Sequence, residues 1–184
     1  LSLADLGALL TIDPLMLIYL NNELNNKSSP NENYARELME LFTLGTEDED
    51  GNPNYTETRT DGSGDIAVAA RALTGWKVRL NYSVPELTVS FDSNAHAVGP
   101  HVMFPGTPFE FSCENQEQLV RGIFAHHGNA SIYYSRELLK YYLTPNPPRE
   151  LVEQFALVIR QENFALRPAL ARLFESKAFL HPAY

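Results

Sequence analysis

The stretch Pro30-Asn31-Glu32-Asn33-Tyr34-Ala35-Arg36-Glu37-Leu38-Met39-Glu40-Leu41-Phe42-Thr43-Leu44-Gly45 decides the fold class. Tyr34, Leu38, Leu41 and Phe42, with Gly45, recur at helical spacing and predict one apolar side. Glu32, Arg36 and Glu40 sit four apart on another face. Opposite charges at that spacing support a helix by about 0.2–0.5 kcal/mol per pair. Asn31 is the expected N-cap, and Gly45 suits the position just past a helix end.

Upstream, Leu3 to Leu10 reads as a short apolar helix. Asp13-Pro14 then restarts a helix, because Asp caps the first turn and Pro suits the first helical position. That helix carries LMLIYLNNEL and stops in the polar NNKSSP. Downstream, Thr46 to Gly64 is acidic and rich in Gly, Asn and Thr, so a long exposed loop is expected. Asp65 caps a helix through Thr74, closed by Gly75 and Trp76, whose alanines permit close packing.

Residues 77–113 change character. WKVRLNY and ELTVSFD flank Ser83-Val84-Pro85 and carry β-branched and aromatic residues in partial alternation, which predicts a β-hairpin. A Pro- and Gly-punctuated irregular run follows. Helices return at Gln116–His126, Ser131–Leu143, Pro147–Gln161 and Arg167–Ser176, with Leu170, Leu173 and Phe174 facing inward on the last. Their short connections predict antiparallel neighbours. The expected fold is mainly α: a multi-helix orthogonal or antiparallel bundle with a small β-hairpin and a long irregular insertion in the middle. It is read as a single helical domain over residues 1–184, a fragment of a longer chain that lacks its initiator Met.

Charge narrows the function classes. The chain has 14 basic and 23 acidic side chains, a net charge of -9. An acidic surface repels phosphate backbones and anionic membranes, so nucleic acid is not an expected partner. No apolar run approaches the roughly 20 residues that span a bilayer. The opening LSLADLGALL lacks the basic region and cleavage site of a signal peptide. Cys113 is the single cysteine, read as a small partly buried side chain.

Four constellations could carry chemistry. Glu37 and Glu40 share a helix flank, and paired carboxylates perform acid–base work when one is held protonated. Arg36 could grip an anionic substrate, with Arg71 and His96 beside it. The competing reading of this set is a structural lock between two helices. The histidines His96, His101, His126, His127 and His181 lack the spacing of a zinc or iron site. The acidic run Asp48 to Asn54, with Asp61 to Asp65, suggests calcium. However, Gly51 falls early and Arg59 occupies the twelfth place of an EF-hand register. The aromatic residues Trp76, Tyr82, Phe91, Phe104, Phe109, Phe111, Tyr133, Tyr134, Tyr141 and Tyr142 are read mostly as core, with sugar or peptide binding as the alternative for exposed ones. Neither a Gly-rich phosphate loop nor a GxSxG elbow occurs. No cofactor is expected, with calcium or a transition metal as the alternatives.

Pro30 to Gly45, Asn54-Tyr55-Thr56-Glu57 and Ala70-Arg71-Ala72-Leu73-Thr74-Gly75-Trp76 closely resemble the marks of the bacterial domain of unknown function 1800 family. DPLMLIYLNN upstream, Ser135 to Tyr142 and Leu170 to Phe179 are similar to its other segments, so the resemblance covers nearly the whole chain. Two departures stand out. The family's His-Asp-x-Gly-x-Lys segment corresponds to His96-Ala97-Val98-Gly99-Pro100-His101, with Ala97 for Asp and His101 for Lys. The loop Glu47 to Gly64 is longer than is usual. The resemblance implies an exported, periplasmic or envelope-associated parent protein that works with another exported protein encoded nearby. The expected function is an accessory binding or assembly domain. The alternative is a hydrolase-type enzyme using Glu37 and Glu40 with Arg36, Arg71 and His96.

Overall fold

Several helix starts are fixed by side chains already visible in the sequence. The computed structural model describes residues 1–81, 83–84 and 86–180. Tyr82, Pro85 and His181, named above, lie outside them. The first helix, α1 (Leu3–Leu10), opens on a capping box: Ser2 Oγ accepts from the Asp5 N–H at 3.1 Å, and the Asp5 carboxylate accepts from the Ser2 N–H at 2.9 Å. The next, α2 (Pro14–Tyr19), opens on Asp13, whose Oδ1 accepts from the N–H groups of Leu15 and Met16. The signature helix is α3 (Asn33–Glu40).

The remaining helices are α4 (Asp65–Ala72), α5 (Gln116–His126), α6 (Asn129–Tyr142), α7 (Arg149–Gln161) and α8 (Leu166–Phe174). The expected hairpin is β1 (Trp76–Asn81) paired antiparallel with β2 (Glu86–Phe91), Trp76 opposite Phe91 and Asn81 opposite Glu86. Within the run expected to be mostly irregular, with short strands as the alternative, β3 (His101–Met103) pairs antiparallel with β4 (Phe111–Cys113). Mainly helical architecture with two small two-stranded sheets is therefore the observed fold class.

Some boundaries differ from the sequence reading. The helix begun at Asp13 stops at Tyr19; Asn21 then takes a left-handed backbone and a 3₁₀ turn spans Asn22–Leu24. Residue 32, not Asn31, occupies the N-cap of α3, and the Asn31 side chain instead accepts from the Asn33 N–H. Tyr34 and Leu38 are buried as expected, but Leu41 is 53% exposed because α3 ends before it and the chain turns. On α8, Leu173 is buried whereas Phe174 lies at the surface. The loop 46–64 is exposed over most of its length, yet Asn54 and Tyr55 are buried.

Helix α4 is the buried axis of the larger core. Asp65, Ile66, Ala67, Ala69, Ala70 and Ala72 are all buried on it, and α3, α5 and β3 pack around it. Alanine on every side lets neighbouring backbones close in. A second apolar cluster joins α6, α7 and α8 through Leu139, Val152, Phe155, Ile159, Ala169 and Leu173. Tyr134 and Phe164 pack against both clusters and connect them.

One close approach fixes the sheet β3–β4 on α5. A Cβ placed on Gly122 would stand 2.1–2.6 Å from three ring atoms of Phe111, which is itself buried. Gly122→Ala should therefore destabilise the fold by about 1–3 kcal/mol, the usual cost of overpacking. Urea unfolding measures it, and Phe111→Leu in the same chain should return part of the loss.

Candidate functional site

A buried helix must satisfy its terminal N–H and C=O groups without water. Around α4 that need assembles a ring of polar residues, Asn22, Asn54 and Thr56 of the signature segments among them. At the N-terminal end, the Asp65 carboxylate is 2% exposed. Its Oδ2 accepts from the Thr56 N–H at 2.8 Å and the Thr56 hydroxyl at 2.7 Å, and its Oδ1 accepts from the Phe104 N–H at 2.8 Å. Thr56 Oγ1 in turn accepts from the Asp65 N–H at 2.9 Å. The helix dipole further favours a negative charge here. One carboxylate thus joins the loop before α4, the helix itself and the turn after β3. Phe104 holds this position in a left-handed backbone conformation, φ 51°, that non-glycine residues seldom adopt.

His127 and two asparagines complete the ring on this side. His127 Nε2 donates to the Asn54 carbonyl at 3.0 Å, and Nδ1 accepts from the Asn129 N–H at 3.3 Å. That pair of bonds defines a neutral imidazole with its proton on Nε2. Burial pushes its pKa below the ordinary histidine value, with the nearby Asp65 charge opposing part of the shift. Phe109 stacks on the ring at 4.2 Å and Phe104 meets its edge at 4.8 Å. Asn54 Nδ2 donates to the Leu44 and Gly45 carbonyls, and Asn54 Oδ1 accepts from Asn129 Nδ2. A cavity of about 180 Å³ lies among Asn54, Thr56, Asp65, Phe104, His127 and Asn129.

At the C-terminal end of α4, side chains from distant segments accept the role of caps. Asn25 Nδ2 donates to the Ala70 carbonyl at 2.8 Å and Asn22 Nδ2 to the Leu73 carbonyl at 3.1 Å. His96 Nδ1 lies 2.9 Å from the Thr74 carbonyl, and its Nε2 2.9 Å from the Glu114 carbonyl. Both Asn22 and Asn25 are fully buried. Sequence reasoning placed Asn22 within the second helix and Asn25 in the polar stretch that ends it. The available signal was composition: Asn21, Asn22, Asn25 and Asn26 crowd six positions, and Asn22 and Asn25 stand three apart.

Arg36, Glu37 and Glu40 stay together on α3 beside Tyr55, whereas Arg71 and His96 turn to other partners. Arg36 pairs with Glu57 and, at 3.8 Å, with Glu32. Arg71 donates to the Gly62 carbonyl at 3.0 Å. His96 bridges Thr74 and Glu114 as described. Glu40 lines an open hollow with Gly45, Tyr133 and Arg136, while Glu37 makes no side-chain hydrogen bond among the described residues. No side-chain hydrogen bond or ion pair joins any two of Glu37, Glu40, Arg36, Arg71 and His96 among the described residues.

The acidic loop is divided in the same way. Asp48 accepts from the Asp50 and Asn52 N–H groups, Glu49 pairs with Arg136, and Asp50 pairs with Arg149. Each carboxylate turns to a different partner. Among the described residues no group of three or more His, Cys, Asp or Glu side chains is placed to hold a metal ion. His101 and Cys113 face each other across β3–β4. There the His101 Nε2 lies 2.9 Å from the Ala97 carbonyl, and burial pushes the Cys113 thiol up to about 12. His101, at the family's Lys position, thus fastens the loop that Ala97 belongs to.

Two measurements test the polar ring. Asp65→Asn puts an amide NH₂ against groups that are themselves donors, and should cost at least about 2 kcal/mol of unfolding free energy. Histidine in an unfolded chain titrates near about 6.5, and burial holds the folded value lower. As pH falls below about 6.5 the unfolded chain takes up the proton first, so the stability due to neutral His127 is complete above that pH and drains away toward the folded value. In His127→Gln, urea midpoints should lose this part of the pH slope. The Asp5 carboxylate, held down to about 2 by the Ser2 N–H and by Arg121, weakens only at more acidic pH.

A family described as "Protein of unknown function (DUF1800)" matches residues 3–183. No curated protein and no solved structure matches the chain. Asn22, Asn54 and Thr56, within segments that resemble the family's marks, take part in the polar ring around α4. With nearly its whole length matched, the chain belongs to the DUF1800 family.

Proposed function

We propose that this chain is an accessory binding and assembly domain of an exported bacterial envelope protein, and that it docks another exported protein through the outer faces of α1 and α2. One observation carries the reading. Leu6, Leu9, Leu15, Ile18, Tyr19 and Leu24 all stand at the surface, and Leu15 and Tyr19 are 65% and 78% exposed. So many large apolar side chains in two short helices and one turn are a feature of interaction surfaces. The first 26 residues hold Asp5, Asp13 and Glu23 and no Lys or Arg. The complementary partner is a protein with an apolar face and a basic rim.

The buried side of the same elements is occupied by packing. Gly7 of α1 lies against Val120 of α5, and Leu17 of α2 is fully buried. The outer side chains are therefore spare for binding. In the full-length protein, Leu15→Glu and Tyr19→Ser should each weaken binding to the exported protein encoded beside it by at least about tenfold, as expected for anchors at an interface centre. Tyr141→Ser, removing an equally exposed ring on α6, should leave affinity unchanged. Calorimetric titration of the two purified proteins reads the result; equal affinity for all three variants would refute the docking face.

A further inference from the structure

An open cleft of about 730 Å³ lies where α5 ends and α6 begins, against the end of α7 and the entry to α1. Its volume is that of a small-molecule site. Arg121, Arg160, His126, Phe124 and Phe164 are among its walls, and no lining residue is acidic. That composition departs from a chain with 23 carboxylate side chains.

The two arginines differ in what they have left to offer. Arg121 is already held by Asp5 at 2.8 Å and by Glu117 at 3.0 Å. Arg160 has only the neutral Ser131 hydroxyl, to which it donates at 2.8 Å, among the described residues. A guanidinium with unused planar donors fits an oxyanion. The 14-residue α6 opens at the same margin; its Asn129 and Ala130 N–H groups are taken by His127, and its dipole still adds partial positive charge there. His126 lies alongside, stacked on Phe111 with centroids 5.3 Å apart.

The apolar wall is held in place at some cost. Phe124 and Phe164 meet edge to face at 5.0 Å. Asn163 and Phe164 both take left-handed backbone, φ 49° and 59°, in the turn that sets the Phe164 ring there. Such conformations are disfavoured in non-glycine residues, and they gather at ligand sites.

We propose that this cleft binds a small oxyanion-bearing ligand, a phosphate ester or carboxylate with a flat apolar body, anchored by Arg160 and seated on Phe124 and Phe164. This site is separate from the partner-docking face. The test is calorimetric titration of the full-length protein with phenyl phosphate, benzoate, inorganic phosphate and benzyl alcohol. At least one aromatic acid should bind, the neutral alcohol should not, and inorganic phosphate should bind more weakly than phenyl phosphate. The two acids distinguish which headgroup the site takes. Arg160→Gln keeps a donor for Ser131 and should weaken binding about tenfold or more, the loss expected for a charged hydrogen bond. A Cβ on Gly128 meets nothing within 4 Å, so Gly128→Asp should preserve the thermal transition and abolish binding by repulsion. Failure of both acids to bind, equal binding of the alcohol, parity of inorganic and phenyl phosphate, or wild-type affinity in a folded Arg160→Gln would overturn the proposal.

Discussion

The structure depends on a carboxylate that water cannot reach. Asp65 begins the buried helix α4 and accepts hydrogen bonds from Thr56 before it and Phe104 after it. Removing a charge from water is costly unless its lone pairs find donors. The observed arrangement of the three segments supplies them. The requirement therefore acts as a positional constraint: where α4 goes, the loop 46–64 and the turn after β3 must follow. His127 and Asn129 then attach the start of α6 to the same loop through Asn54.

The same logic explains how the signature segments are joined to the rest of the fold. The chain after α3 is closed by tyrosines from α6: Tyr133 donates to the Leu41 carbonyl at 2.8 Å and Tyr134 to that of Phe42 at 2.6 Å. The ring of Tyr133 also covers Gly45, where φ is 73° and a Cβ would stand 2.9 Å away. Ser135, one residue on, donates to the Val152 carbonyl and ties α6 to α7. Asn22, Asn25 and His96 serve α4 in the same way. Polar residues scattered through the chain thus act as joints between helix ends, and those of Asn22, Asn25 and Ser135 are buried, where a satisfied bond counts most.

Charge is arranged with a comparable division. Acidic side chains of the long loop are held by arginines from α6 and α7, Glu49 by Arg136 and Asp50 by Arg149. The Asp50 pair is exposed and contributes little stability by itself. Its effect is to settle the loop against the helices. Arg160, on the same α7, has no such partner among the described residues and faces an opening instead. An acidic chain therefore keeps a local basic hollow, which its net charge of -9 conceals.

The sequence by itself determined the elements. Helical spacing in α3, the Asp13-Pro14 start, the hairpin around residues 83–84 and the mainly α class were all legible, because capping and periodicity are local properties. The candidate site was legible only in pieces. Thr56, Asp65 and His127 could be named, but Asp65 was read as an ordinary cap, Asn22 as part of the second helix and Asn25 as part of the polar stretch after it. Their real bonding partners lie 9 to 51 residues away in the chain. Nor could spacing show that Arg36, Arg71 and His96 turn to three separate places, or that Arg160 and Phe164 border one cleft. Those facts belong to the tertiary structure. A side chain's partner, unlike its helix, is chosen by which distant backbone group is left without water.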